Sequence, residues 1–421
     1  MTASDREIRE SVTIEITQMS LMRVRRPHEH HRVTYVELLF DLVFAFAVTQ
    51  ISHALLGDAT LLGLVHTTLL FLAVWWVWIY TSWITNWLDP DRFAVRIMLF
   101  ALMLGGLVLS ASIPKAFDSR GIAFAIAYTA MQVGRSFFMF YAIPPTETRL
   151  RRNFVRILVY LLVAGVFWLL GGFADGPARL YWWIAALAVE YISPYANFWV
   201  PGLGASAVKD WTVEGGHMAE RCASFILIAL GESIVVTGAA FAGLSWTHAN
   251  IAAFASAFVA SLAMWWIYFH KGAEASAENI SNASDPGRIA RLAYTYLHMP
   301  IVAGIIVGAV GDDLALTHPY GPNDVETVLS LVGGPLLFLI GTVLFKQTIH
   351  GWFQLSHMAG IAVLLPMLWF GSLASPLLLS AATTAVLVGV GVWEAISIGS
   401  RATLRHKELV RAQRVNGEHP L

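Results

Sequence analysis

The sequence predicts an all-α membrane protein of about twelve transmembrane helices, built as two parallel six-helix repeats. Three observations point there: an apolar composition, a regular series of membrane-length apolar segments, and local motifs that recur in order along the chain. Of the 421 residues 57% are hydrophobic and 13% charged, and mean hydropathy is +0.62, well outside the soluble average. A formal net charge of -1 gives no bulk argument for a nucleic-acid partner. The single cysteine, Cys222, excludes an intrachain disulfide and matches no thiolate metal site.

Taken in order, a polar, basic tail over 1–33 precedes a first repeat over 34–200, a connection over 201–216, a second repeat over 217–399 and a basic tail over 400–421. Spans are expected at about 36–56, 61–84, 93–113, 121–142, 153–172 and 179–199, then at 217–242, 249–270, 289–310, 325–345, 354–373 and 376–398. Each lies close to the roughly 20 residues that cross a bilayer. The connections hold turn chemistry, as in IPPTET at 143–148 and HPYGPND at 318–324. MTASDREIRESVTIEITQMS at the start has no apolar core, so no cleavable signal is expected.

Orientation follows from the Lys and Arg residues. Only Lys115, Arg120 and Arg179 fall in odd-numbered connections, and Arg135 lies inside the fourth segment. All the others lie before the first segment, in even-numbered connections or after the last. Both termini are therefore expected in the cytoplasm.

The repeat rests on four matches: Glu37 with Glu220, Trp78-Ile79-Tyr80 with Trp266-Ile267-Tyr268, DPDR at 89–92 with DPGR at 285–288, and Glu190 of VEYIS with Glu394 of WEAIS. Their offsets grow steadily from 183 to 204, as loop insertions between two collinear copies would give. Six helices per copy is an even number, so the copies run parallel, related by a pseudo-twofold along the membrane normal.

The first apolar segment, VELLFDLVFAFAVTQISHALL, carries Glu37 and Asp41 one turn apart. A charge near the centre of such a helix costs about 2.5 to 3.5 kcal/mol, so the pair needs partners or water. On a helical wheel they share a face with Phe44, Val48 and Ser52, and that face looks inward. Glu220, Ser224, Leu227 and Gly231 mark the matching face of the seventh segment. Glu37, Asp41, Arg135, Glu190, Glu220, Arg221, Glu232 and Glu394 form the intramembrane charge set, with more acids than bases, which suits a cation. Phe44, Val48 and Leu227 are candidates for an apolar constriction. The same charges can instead lock helices together through ion pairs, with Arg135 or Arg221 on Glu37, Asp41 or Glu220, or Arg135 on Glu232.

Other motifs read as structural. Asp89-Pro90 and Asp285-Pro286 fit helix starts, with Asp as N-cap. WWVWIYTSW at 75–83 fits an interfacial aromatic belt. His53, His66, His298 and His357 stand singly, without ligand spacing, so no metal site is expected. No nucleophile elbow or phosphate loop is present; no catalytic residue, enzymatic activity or cofactor is expected.

VELLFDLVFAFAVTQISHAL at 36–55 and HMAERCASFILIALGESIVVTG at 217–238 resemble the two signature segments of the bacterial low-temperature-requirement A (LtrA) family: an E-x-x-x-D pair opening a Phe-rich helix, and ER followed by GES. The resemblance covers about residues 30–400, with Cys222-Ala223 in place of a bulkier pair, and implies a multi-pass membrane protein named for growth at low temperature. ELLFDLVFAFAVT at 37–49 also resembles the first helix of the two-repeat endolysosomal potassium channel family, whose Phe-Ser-Asp motif precedes a pore-lining run. Asp41, Val43, Phe44, Ala45, Ala47 and Thr49 fall at matching places; Phe40 replaces the motif serine, and the second repeat has Ser224 for the aspartate. That resemblance implies a cation channel or transporter, with monovalent cations or protons following a path between the repeats. The alternative is a non-transporting, lipid-binding or structural membrane protein of cold adaptation, whose basic segment at 401–415 lies on an anionic leaflet.

Overall fold

The computed structural model describes residues 20–23, 32–58, 60–207, 213–270 and 286–415, with 286, 350 and 398–415 described by backbone alone. The described chain is helical, with isolated β-bridges and no sheet. The helices are α1 (Tyr35–Gly57), α2 (Leu61–Trp87), α3 (Phe93–Ser112), α4 (Gly121–Ala142), α5 (Thr148–Phe173) and α6 (Pro177–Ile192). Then come α7 (Gly215–Ala242), α8 (His248–Phe269), α9, α10 (Val325–His350), α11 (Leu355–Phe370) and α12 (Pro376–Val415). α9 is composite: Pro286–Ala290, a π-helical stretch Arg291–Leu297, and His298–Thr317.

The helix starts are set by short polar side chains. Thr60 accepts the Gly63 N–H at the head of α2, Thr247 that of Asn250 at α8, and Asp324 that of Thr327 at α10. Gly351, at φ 82°, ends α10 in the left-handed conformation that glycine adopts without strain. The expected start at Asp89-Pro90 is corrected. α3 begins at Phe93, and Asp89 instead closes a turn, accepting the Asp91 N–H at 3.0 Å and pairing with Arg92 at 3.2 Å. Asp285 lies outside the described residues.

Every expected apolar segment contains a helix, although the one expected over 179–199 ends at Ile192, and among the described residues ten helices are long and apolar enough to cross a membrane. The two others are α4, which carries Gln132 and Arg135 in its interior, and α6, only 16 residues long and ending near Glu190.

Contacts divide the chain into two compact units, Met1–Glu232 with Glu274–Met299 and Ser233–Ala273 with Pro300–Leu421. These units reflect packing, and their ranges differ from those of the sequence repeats.

In the first unit α1 packs on α2 and α3, and α3 to α6 follow one another as neighbours, while α2 also touches α4 and α6. α2 is accordingly the centre of that core. Trp75, Trp76 and Trp78 are at most 1% exposed, so the Trp-rich run is interior and not the interfacial belt expected. Its indoles pack against Tyr191, Phe225 and one another. Before α1, residues 21–23 lie antiparallel against the end of α2: the Arg23 N–H donates to the Trp87 carbonyl and the Asp89 N–H to that of Leu21.

In the second unit α8 packs on α12, and α10, α11 and α12 are mutual neighbours. α9 and α10 approach through glycine. A Cβ on Gly334 would meet the Gly308 nitrogen at 2.4 Å, and one on Gly304 the Phe338 nitrogen at 2.5 Å. Small residues are what allow two helix backbones this close in a bilayer, where packing replaces the hydrophobic drive.

Candidate functional site: a buried charge cluster on the first helix

Glu37 sits in the first turn of α1 and is wholly buried. Its Oε2 accepts the Thr34 N–H and hydroxyl, both at 2.9 Å, which fixes the carboxylate beside the helix start. Arg23 Nη2 lies 3.2 Å from the same oxygen, and His217 Nε2 lies 2.8 Å from Oε1. Arg23 is itself held by the frayed end of α2, donating from Nε to the carbonyls of Thr85 at 2.8 Å and Leu88 at 3.0 Å. Those carbonyls have no partner within the helix, so one guanidinium caps α2 and neutralises Glu37.

The neighbours of His217 define its proton. Asn86 donates from Nδ2 to the Glu214 carbonyl and accepts the Glu214 N–H on Oδ1, which fixes which way its amide faces. That puts Asn86 Nδ2 3.3 Å from His217 Nδ1. A nitrogen that faces an amide donor is an acceptor, so in the neutral ring the proton is on Nε2, where the Glu37 carboxylate at 2.8 Å accepts it although Arg23 Nη2 also stands 3.2 Å away.

One turn along α1, Asp41 is also wholly buried. Its Oδ1 receives Arg221 Nη2 at 2.8 Å and the Trp78 indole N–H at 2.7 Å, whereas Oδ2 has no partner among the described residues. Arg221 reaches across from α7, donating from Nη1 to the Glu37 carbonyl at 2.8 Å and from Nε and Nη2 to Ser82 Oγ. The rings of Phe40 and Trp78 lie under its guanidinium at 5.9 and 5.8 Å. Two carboxylates and two guanidiniums thus balance with solvent excluded, and desolvation of each charge is offset by direct pairing and by hydrogen bonds from neutral groups. Within it, the His217 ring and Asp41 Oδ2 are the places able to exchange a proton without a guanidinium leaving.

The other candidate residues distribute themselves elsewhere. Phe44 and Val48 follow Asp41 on the buried face of α1, as expected. Leu227 is 48% exposed and does not join them. On α7 the buried stripe is Met218, Arg221, Cys222 and Phe225, one position round from the face through Glu220. Glu220 is exposed and accepts the Val33 N–H at 2.9 Å. Glu232 is half-buried and accepts the Thr49 hydroxyl, not Arg135.

Arg135 and Glu190 belong to a second polar group in the first unit. Arg135 donates to the Val77 carbonyl, the Thr81 hydroxyl and Gln132 Oε1, and stands over the Tyr80 ring. Glu190 accepts from the Tyr128 hydroxyl, from Trp168 Nε1 at 3.2 Å and from Gln132 Nε2 at 3.4 Å. Gln132 therefore links acid and base without a direct ion pair. In the second unit Glu394 pairs with Lys346 at 2.6 Å, and Lys346 also donates to the Ile267 carbonyl.

Sequence reasoning did not single out Arg23, Trp78, Ser82, Asn86, His217 or Lys346 as site residues. Arg23 and Lys346 count as loop charges when only their distance from a span is read, and Trp78 is hidden in a run that resembles a belt. The one available signal was His217, four residues before Arg221 and so on the same helical face. Among the described residues no three His, Cys, Asp or Glu side chains gather closely enough to hold a metal ion.

An uncharacterized protein of Rhizobium meliloti (strain 1021) is 39% identical over 369 residues, which is 87% of this chain and 90% of the relative. No solved structure matches. The pattern of the bacterial low temperature requirement A protein (LtrA) matches residues 32–392, which takes in all of α1 to α11 and the first part of α12, and the chain belongs to that family.

Proposed function

We propose that this family member is a cation channel or transporter of the bacterial inner membrane, handling a monovalent cation or proton at the α1 charge cluster. The observation that carries the reading is the chain Asn86–His217–Glu37 beside Asp41, whose Oδ2 has no partner among the described residues, inside a segment long and apolar enough to span a bilayer. Ionisable groups are costly at such depth, and relays of Asp, Glu and His are a recurrent reason for keeping them. The reading includes no enzymatic step and no cofactor, and the bilayer is the protein's surrounding partner.

The proposal extends to twelve crossings in two parallel six-helix repeats, with both termini cytoplasmic. Its support is correspondence within each unit. α2 touches α6 as α8 touches α12, α4 touches α5 as α10 touches α11, and α5 touches α6 as α11 touches α12. The fourth helix of each repeat carries a buried base, Arg135 or Lys346, and the sixth a buried acid, Glu190 or Glu394.

Flux into liposomes holding the purified protein, under separate potassium, sodium and proton gradients, tests the function. Wild type carries one of these ions, and Asp41→Asn and His217→Gln each cut the rate at least tenfold while inserting normally. Absence of flux for all three ions, with a control channel active, overturns the proposal and makes the cluster a lock between helices.

A further inference from the structure

The first unit contains a cavity of about 330 Å³ that the charge cluster does not use. Its wall is formed where α2 and α6 end and where α5, α7 and α9 begin, so it opens among the even-numbered connections, at the end assigned to the cytoplasm. Its size falls at the lower end of small-molecule sites, which run about 300 to 1,000 Å³.

The lining has a definite chemistry. Aromatic side chains are prominent, among them Trp76, Tyr80, Trp83 and Phe198, and among the described residues the charged ones are Arg288 and Arg291.

The backbone of the wall is unusual in two places. Asn197 and Phe198 are consecutive non-glycine residues at φ 49° and 50°, a conformation that costs of order 1 to 3 kcal/mol for each such residue and that clusters at ligand clamps. Arg291 and Thr295 belong to the π-helical stretch of α9, and π-turns are frequent at functional sites. Thr295 is also braced by Trp75, which donates to its carbonyl, and Trp83, which donates to its hydroxyl.

We propose that this cavity binds an anionic amphiphile: an acyl or aromatic body among the indoles, with a carboxylate or phosphate head at Arg291. The apolar wall selects the body and the guanidinium selects the charge. A free fatty acid and an anionic phospholipid share this chemistry.

The test is native mass spectrometry of the full chain released from dodecyl maltoside, titrated separately with palmitate, phosphatidylglycerol and phosphatidylcholine. Saturable retention of one palmitate or one phosphatidylglycerol, at least tenfold tighter than phosphatidylcholine, supports the site, and the stronger arm identifies the source. Arg291→Gln weakens that binding at least tenfold. Ala207→Phe, which fills the cavity from an exposed position without altering charge, removes it and keeps the test valid should the Arg291 variant misfold. Equal retention of phosphatidylcholine, no saturable adduct, or wild-type binding in the folded variants overturns the proposal.

Discussion

Asp41 and Arg221 face each other at 2.8 Å, Oδ1 to Nη2, and neither side chain reaches solvent. Removing one member leaves the other charged and buried without its counter-ion, which costs about 3 to 5 kcal/mol. Arg221→Met and Asp41→Ala are each expected to lower thermal stability in detergent by that order. In the double variant Asp41→Ala/Arg221→Met the loss is smaller than the sum, because no orphan charge remains. A double-mutant cycle on unfolding midpoints reads the coupling.

Trp78 is expected to behave differently from a merely apolar core residue. Trp78→Phe retains most of the ring but removes a hydrogen bond to a charged carboxylate, worth about 1.5 to 3 kcal/mol. Trp83→Phe removes a bond to the neutral Thr295 hydroxyl, worth about 1 kcal/mol. The ordering of the two melting shifts checks the assignment of Asp41 as a buried carboxylate.

The neighbouring glycines of α10 offer a sharp contrast. A Cβ on Gly334 meets backbone atoms of Gly308 at 2.4 and 2.6 Å, which no rotamer change relieves, whereas one on Gly333 meets nothing within 4 Å. Gly334→Ala should force α9 and α10 apart and destabilise the second unit. Gly333→Ala should be neutral or stabilising, by up to about 1 kcal/mol of helix propensity. Thermal melts of the two variants side by side decide it.

The cap of α10 carries a pH dependence. Hydrogen bonds from Thr327 hold the Asp324 carboxyl below the usual carboxylate range. A depressed folded value means that the contribution is complete above the unfolded value of about 3.9 and is lost as pH falls through the lower, folded one. Asp324→Ala is expected to cost about 1 kcal/mol at pH 7. At pH 2.5 the difference between variant and wild type should shrink, as read by unfolding midpoints at the two pH values.

Much of the scaffold was legible because its signals are local. Apolar runs bounded by turn residues place the helices closely, apart from the ends of α6, at Ile192 and not 199, and α12, at Val415 and not 398, and the wheel of α1 puts Glu37, Asp41, Phe44, Val48 and Ser52 on the face that is buried. The partners of those groups were not legible, since pairing is set by distant segments. Arg23 and Arg221 reach Glu37 and Asp41 from different ends of the first unit's sequence, and helical spacing carries no information about which side chains meet. The inward face of α7 was misplaced by one residue because Glu220, the more conspicuous acid, was taken as its marker. Arg221 and not Glu220 is the buried member.

The distance along the chain between α1 and its partners sets a schedule for synthesis. Asp41 meets Trp78 within 37 residues, but Arg221 is 180 residues away. At about 5 to 20 residues per second that interval is roughly 10 to 40 seconds. Throughout it, Asp41 has no counter-ion, and Glu37 has Arg23 but not His217. The nascent first helix therefore has to wait where water or the insertion machinery can solvate Asp41, and its final burial is timed by the arrival of the seventh.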